Sequence, residues 1–204
     1  MSEIFKFDTE AEDTSKFQQI KLFPLVDSKD PILQEILPEF EFANSPVNPI
    51  TFASQLVETC KYYNGLGLSA NQCGFRYRVF VMGAGSNYVA HFNPKIISMS
   101  ENLVHMQEGC LSFPFLFLNI TRPDTIQVEY QDYHGEIKQA KYSGITARCF
   151  LHELDHLNGI VYTSKAKPLA LKTGKQKRDK LVMRMKKANE KLATRVRTGL
   201  PQKS

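Results

Sequence analysis

The segment His152-Glu153-Leu154-Asp155-His156 constrains this chain more than any other. Apolar Ala147, Phe150, Leu151 and Leu154 recur around it at helical intervals, and Asn158-Gly159 follows with the glycine that favours a helix end. The spacing predicts a helix over residues 146–157. On a helix, positions four apart are about 400° round, so both imidazoles leave one face a turn apart and can grip one ion. Glu153 lies one step round from His152, within reach of a water on that ion but badly placed to be a ligand, which fits a general base. Two helix histidines with ordinary partners would look the same. A third ligand decides between the readings, with one position left open for water. Cys110, within Glu108-Gly109-Cys110-Leu111-Ser112, is the candidate, because a thiolate binds soft or borderline divalent ions well.

Around this helix the pattern is mixed. Phe52, Ala53, Leu56, Val57 and Cys60 predict a helix over 51–64, stopped by Asn64-Gly65. Short β-rich runs at 77–82, 89–92, 95–98, 126–130 and 137–142 read as strands, with a turn at 132–135. A helix is expected after Lys175, with Leu181, Met185, Ala188, Leu192 and Val196 in one stripe. Runs of strands followed by isolated helices predict an α+β fold, mainly antiparallel sheets around a central metal-binding helix, with a basic C-terminal helix.

Charge divides the chain. Residues 165–204 carry fourteen Lys and Arg against two acids, a net of +12, whereas residues 1–164 carry twelve bases against nineteen acids, a net of −7. The expected organisation is a loose N-terminal arm (1–20), a catalytic domain (21–164) and a basic C-terminal extension (165–204). Glu3, Asp8, Glu10, Glu12 and Asp13 in the first twenty residues fit neither a signal peptide nor a transit peptide, and nothing approaches the ~20 apolar residues of a membrane span. A soluble cytoplasmic protein without a membrane partner is expected. Four cysteines are too few and too widely spaced for a disulfide scaffold; Cys60 and Cys73 read as packing residues, and so does Cys149 from its spacing alone. His91, His105 and His134 read as surface or turn residues.

Three segments together resemble one family. Gly65-Leu66-Gly67-Leu68-Ser69-Ala70-Asn71-Gln72, Glu108 to Ser112, and His152 to His156 are similar, in order and separation, to the three motifs of the peptide deformylases. The similarity extends through Phe92-Asn93-Pro94, Arg122-Pro123 and residues 128–135, covering roughly residues 30–164. The resemblance implies a hydrolase that removes the formyl group from formyl-methionyl nascent peptides and releases formate. It implies that Cys110, His152 and His156 hold the metal, Fe²⁺ by preference, with Zn²⁺, Ni²⁺ or Co²⁺ as isolated. Glu153 would take a proton from the attacking water and pass it to the leaving amine. Gln72 and the Leu111 N–H would stabilise the oxyanion. Gly67 would let the substrate backbone approach. Gly65, Leu66, Glu108, Ile145 and Cys149 would border the pocket for the first side chain, and Asp155 would support the site, paired to Arg122.

The chain also departs from the family. Leu151 stands where many relatives have Gln, Ser69 where Ala is common, and Phe113-Pro114-Phe115-Leu116-Phe117-Leu118 is unusually greasy, fitting either a groove wall or a buried strand. Ten Lys and Arg between Lys175 and Arg197 fit a solvated helix or a surface that docks on the ribosome. Two rival functions remain at this stage: a general metallopeptidase, in which Cys110 is not a ligand, and a ribosome- or RNA-binding protein with a relic site.

Overall fold

The computed structural model describes residues 21–198. The expected loose arm, residues 1–20, lies outside the described residues. Helix α1, Pro49–Tyr62, begins where the Asn48 side chain accepts a hydrogen bond from the Thr51 N–H at 3.0 Å, with Pro49 pre-set for the first turn. It ends as Asn64 turns left-handed (φ 55°) and the Gly65 N–H closes on the Cys60 carbonyl. The chain continues through β1 (Gly67–Ser69) and a short 3-10 turn, Ala70–Cys73. Strands β2 (Val79–Ala84), β3 (Asn87–Met99), β4 (Leu103–Cys110), β5 (Phe113–Pro123), β6 (Thr125–Gln131) and β7 (Ile137–Ser143) follow, then α2 (Gly144–Leu157) and α3 (Pro168–Thr198).

The strands form two antiparallel sheets, one in the order β1-β2-β3-β6-β7 and the other β4-β5. β2 shows how the larger sheet is held. Its alternate residues Val79 and Val81 enter one core with Phe52 and Leu56 of α1, while Phe80 and Met82 enter another with Phe150, Leu151 and Leu154 of α2. Both sets are buried because a helix covers each face. Truncating the fully buried Phe150 to Ala would cost about 3–5 kcal/mol. Ten of the fourteen α2 residues are buried, since the helix contacts the larger sheet on one side and β5 on the other. The α+β architecture is therefore as the sequence pattern implied.

Several boundaries differ. The two runs expected at 89–92 and 95–98 are one strand, β3, bent by a register shift between Phe92 and Lys95. There Asn93 takes φ 49°, and its side chain clasps the Phe40 backbone (Phe40 N–H to Oδ1 2.7 Å, Nδ2 to Phe40 O 3.0 Å). Helix α3 starts at Pro168 rather than after Lys175, because its first turns pack on β5. A Cβ on Gly174 would come within 2.7 Å of Leu118, so glycine sets that close approach. Leu181 and Met185 of the expected stripe are each 42 % exposed; the side chains of Leu192 and Val196 lie outside the described residues.

His91 corrects the sequence reading outright. It is fully buried rather than at the surface, stacked on Phe80 with centroids 4.8 Å apart, its Nε2 3.0 Å from the Tyr142 hydroxyl. Nothing local to residue 91 foretells this, because the enclosing rings come from β2, β6, β7 and α2. His105 and His134 do lie at the surface.

Candidate active site

Helix α2 brings His152 and Glu153 to the wall of a cavity of about 540 Å³ between β1 and the β4–β5 hairpin, with the buried His156 one turn further along the helix. The ligating atoms of Cys110, His152 and His156 all lie within 4.8 Å of one another. Cys110 ends β4, where the bulge between Glu108 and Cys110 lets the chain turn into β5 and aims the thiol at α2. Its Sγ is 3.2 Å from His156 Nε2. Bonds of roughly 2.0–2.3 Å to one ion set donor atoms less than about 4.6 Å apart, a condition the Cys110 Sγ–His156 Nε2 pair already meets.

Polar contacts orient these donors. His152 Nδ1 stands 3.0 Å from Glu108 Oε2; a carboxylate can only accept, so Nδ1 carries the proton and Nε2 is free to coordinate. Burial would raise the Glu108 pKa, but hydrogen bonds from His152 and Arg122 outweigh it and hold the group near 2. Arg122 grips both Glu108 oxygens (2.6 and 2.9 Å) and reaches Asp155 at 2.8 Å, the pairing the sequence implied. Arg148 is a third partner of Glu108, at 2.6 Å, and also donates to the Ile120 and Val104 carbonyls. Lys165 closes the chain on Asp155 at 3.0 Å. Burial would lower the His152 pKa, yet the Cys110 sulfur and Glu108 carboxylate raise it to about 10. The field at this point calls for positive charge. His156 is pushed well below its ordinary value, chiefly by burial, and is neutral and ready to ligate. The donor set and this field fit a divalent ion.

Glu153 sits against β1. Its Oε2 accepts a hydrogen bond from the Ser69 hydroxyl at 2.7 Å, and burial raises its pKa while His152 and Ser69 lower it. Gly67, which the resemblance reserved for the approach of substrate backbone, lines the cavity and has a neighbour of its own to accommodate. A Cβ there would meet Glu153 Oε1 at 2.5 Å and the Cys149 sulfur at 2.8 Å, so the missing side chain makes room for the protein's own carboxylate. Gln72 is fixed by the Ser69 N–H, which donates to its Oε1 at 2.9 Å. This turns the amide –NH₂ toward Ser112 Oγ (3.1 Å) and Cys110 Sγ (3.4 Å). Leu111 packs its side chain beside Gly65.

Gly65, Leu66, Glu108, Ile145 and Cys149 all line the cavity. Leu66 and Ile145 are about half exposed at its mouth. Burial holds the Cys149 thiol well above its ordinary pKa, so it serves as a neutral wall. Glu108 is turned to its cations and orients His152 rather than offering charge to a ligand. The greasy segment is both things it resembled: Leu116 and Leu118 are buried beneath α3, while Phe115 and Phe117 face the cavity. Sequence reasoning missed Arg148, although a signal existed. It lies one turn before His152 on the buried side of a helix, where a cation requires an anionic partner. The contact from Ser69 to Glu153 had no local signal, because 84 residues separate the two.

The profile of the polypeptide deformylase family matches residues 22–172. The peptide deformylase of Rhizobium meliloti is 32 % identical over 170 residues, covering 81 % of this chain and 92 % of that protein. The crystal structure of the Thermotoga maritima peptide deformylase superposes with a TM-score of 0.69 at 34 % identity, covering 72 % of this chain and 99 % of that one. An Acinetobacter baumannii peptide deformylase bound to Met-Ala-Ser superposes with a TM-score of 0.66 at 26 % identity, covering 71 % and 98 %. With three side chains able to hold a metal, a carboxylate and an amide all within the span that the family profile matches, the chain belongs to the polypeptide deformylase family and is an enzyme of that activity.

Proposed function

We propose that Cys110, His152 and His156 hold one divalent ion and that the remaining groups divide the work of deformylation. When bound, the ion supplies Lewis acidity that lowers the pKa of a water toward neutrality. Glu153 accepts the proton of the attacking water; its raised pKa keeps it basic enough to take the proton and acidic enough to return it to the leaving amine. Gln72 Nε2, held by Ser69, and the Leu111 N–H donate to the oxygen of the formyl group as it gains charge. Removing such a donor costs about 3 kcal/mol in barrier. The side chain of the formylated residue, methionine by preference, lies among Gly65, Leu66, Ile145 and Cys149. Binding of Met-Ala-Ser by the Acinetobacter relative supports a peptide of that size in this cavity.

The observation that carries this reading is the cluster of three donors, two of which line one cavity with Glu153 and Gln72. Two nitrogens and a sulfur suit iron, zinc, nickel or cobalt; we place Fe²⁺ first, with the others as substitutes. The deciding assay is formate release from formyl-Met-Ala-Ser with anaerobic Fe²⁺, beside Glu153→Ala and an unformylated Met-Ala-Ser control. Cleavage of the control would favour a general peptidase, and formate production by Glu153→Ala at the parent rate would sink the mechanism.

A cytoplasmic site of action, where nascent chains emerge, accords with the absence of any helix among the described residues able to cross a membrane. We also place α3 on the ribosome, because its exposed basic length would be drawn to phosphate. Replacing Lys186, Lys187 and Lys191 by Glu should weaken co-sedimentation with ribosomes while sparing free-peptide hydrolysis. Undiminished co-sedimentation would remove this part.

A further inference from the structure

Asn71 precedes Gln72 on the short 3-10 turn and is fully buried. Its side chain crosses to the last turn of α2. Nδ2 donates to the His156 carbonyl at 2.8 Å and lies 3.4 Å from the Ile32 carbonyl. Carbonyls only accept, so the amide –NH₂ faces them and Oδ1 is turned away. The contact joins the turn that carries Gln72 to a residue of the metal-donor set. The same two residues share a second feature. Asn71 Oδ1 and His156 Nδ1 are both buried, and neither has a hydrogen-bond partner among the described residues. His156 Nε2 is the ring atom turned to Cys110, at 3.2 Å. With Nε2 given to an ion, the ring proton must sit on Nδ1, which makes that atom a donor. One residue thus presents a buried donor, and the neighbour bonded to its carbonyl presents a buried acceptor. Unpaired polar groups are costly in an interior, and one internal water with these two partners completes both.

We propose that Asn71 is a positioning residue for His156, holding its carbonyl directly and its Nδ1 proton through one internal water. The inference rests on the reading of His156 as a metal donor. It gives the two imidazoles unlike supports. Glu108 meets His152 Nδ1 directly and brings negative charge, whereas Asn71 steadies His156 with a neutral amide. The ligand nearer the cavity is thereby held by charge, and the deeper one by hydrogen bonds alone.

The test uses the full chain loaded with Zn²⁺. Its crystal structure should show a water within about 3.2 Å of both Asn71 Oδ1 and His156 Nδ1. In proton NMR of the same protein, the Nδ1–H signals of His152 and His156 should both persist against exchange with solvent. Asn71→Leu keeps a similar volume and removes both contacts. It should lose the His156 signal, keep the His152 signal, and bind Zn²⁺ roughly tenfold more weakly in chelator competition. Asn71→Thr is read in the same way should the leucine variant not fold. Density without that water would overturn the proposal. So would parent affinity in the variant, or loss of both imidazole signals together, which is what a merely structural role predicts. A parent protein that binds no Zn²⁺ would overturn the metal reading beneath it, and this proposal with it.

Discussion

The two sides of α2 each bury a histidine, and the two imidazoles behave in opposite ways. His91, behind the helix, is fully buried among Phe80, Tyr130, Tyr142 and Phe150, and burial drives its pKa down to about 3. His152, on the cavity side, is 8 % exposed; burial pulls it the same way, but the Cys110 sulfur and Glu108 carboxylate carry it to about 10. Removal from water is similar on both sides. What differs is the charge of the neighbours, and the field that favours an imidazolium also favours a divalent cation. The aromatic side stabilises the helix, and the ionic side makes it reactive.

The largest expected effect comes from the reactive side. Glu153→Gln keeps size and shape but loses basicity, so kcat should fall by roughly 10²–10⁴ with bound metal unchanged. Steady-state kinetics beside metal analysis reads this, and a loss under threefold would show that another group handles the proton. Next comes Glu108→Gln, which should weaken metal affinity by roughly 10–100-fold, as loss of a ligand-orienting carboxylate does. It also leaves Arg122 and Arg148 facing a neutral amide. Chelator competition measures the first consequence, and metal affinity equal to the parent would mean that His152 is oriented without its carboxylate.

The ionic side was more legible in the sequence than the aromatic side, for a physical reason. His152, Glu153 and His156 lie on one helix, so their relation follows from 3.6 residues per turn, and Cys110 needed only its chemistry to be picked out. Glu108 was recognised as part of the site but not as a support, because its partners Arg122, Arg148 and His152 come from β5 and α2. The strand runs at 126–130 and 137–142 emerged from their residue types and the turn between them. β4 did not, since only Glu108 of its residues is buried. His91 could not be found, as a histidine among strand residues carries no sign of which rings will enclose it.

The aromatic side offers a smaller effect that tests the same contrast. The folded-state pKa of His91 lies below its ordinary value of 6.5, so the stability linked to it is whole above pH 6.5 and is lost as pH falls toward 3. Between those limits the unfolded chain binds a proton that the folded one refuses, costing about 1.4 kcal/mol per pH unit. In urea titrations at pH 7, 6 and 5, His91→Gln should lose stability less steeply than the parent by about that slope. Parallel slopes would place the acid-sensitive group elsewhere.

The smallest expected effect lies at Ser69, whose hydroxyl holds Glu153 without bringing charge. Ser69→Ala removes one buried hydrogen bond, about 0.5–1.5 kcal/mol, which corresponds to roughly two- to tenfold in kcat. Because Ser69 touches Glu153 and none of the three metal donors, KM and metal content should both stay at parent values. A parallel fall in kcat and metal content would mean that the hydroxyl acts through assembly of the metal site. The division between groups that set the field and groups that merely hold the base would then not hold at this residue.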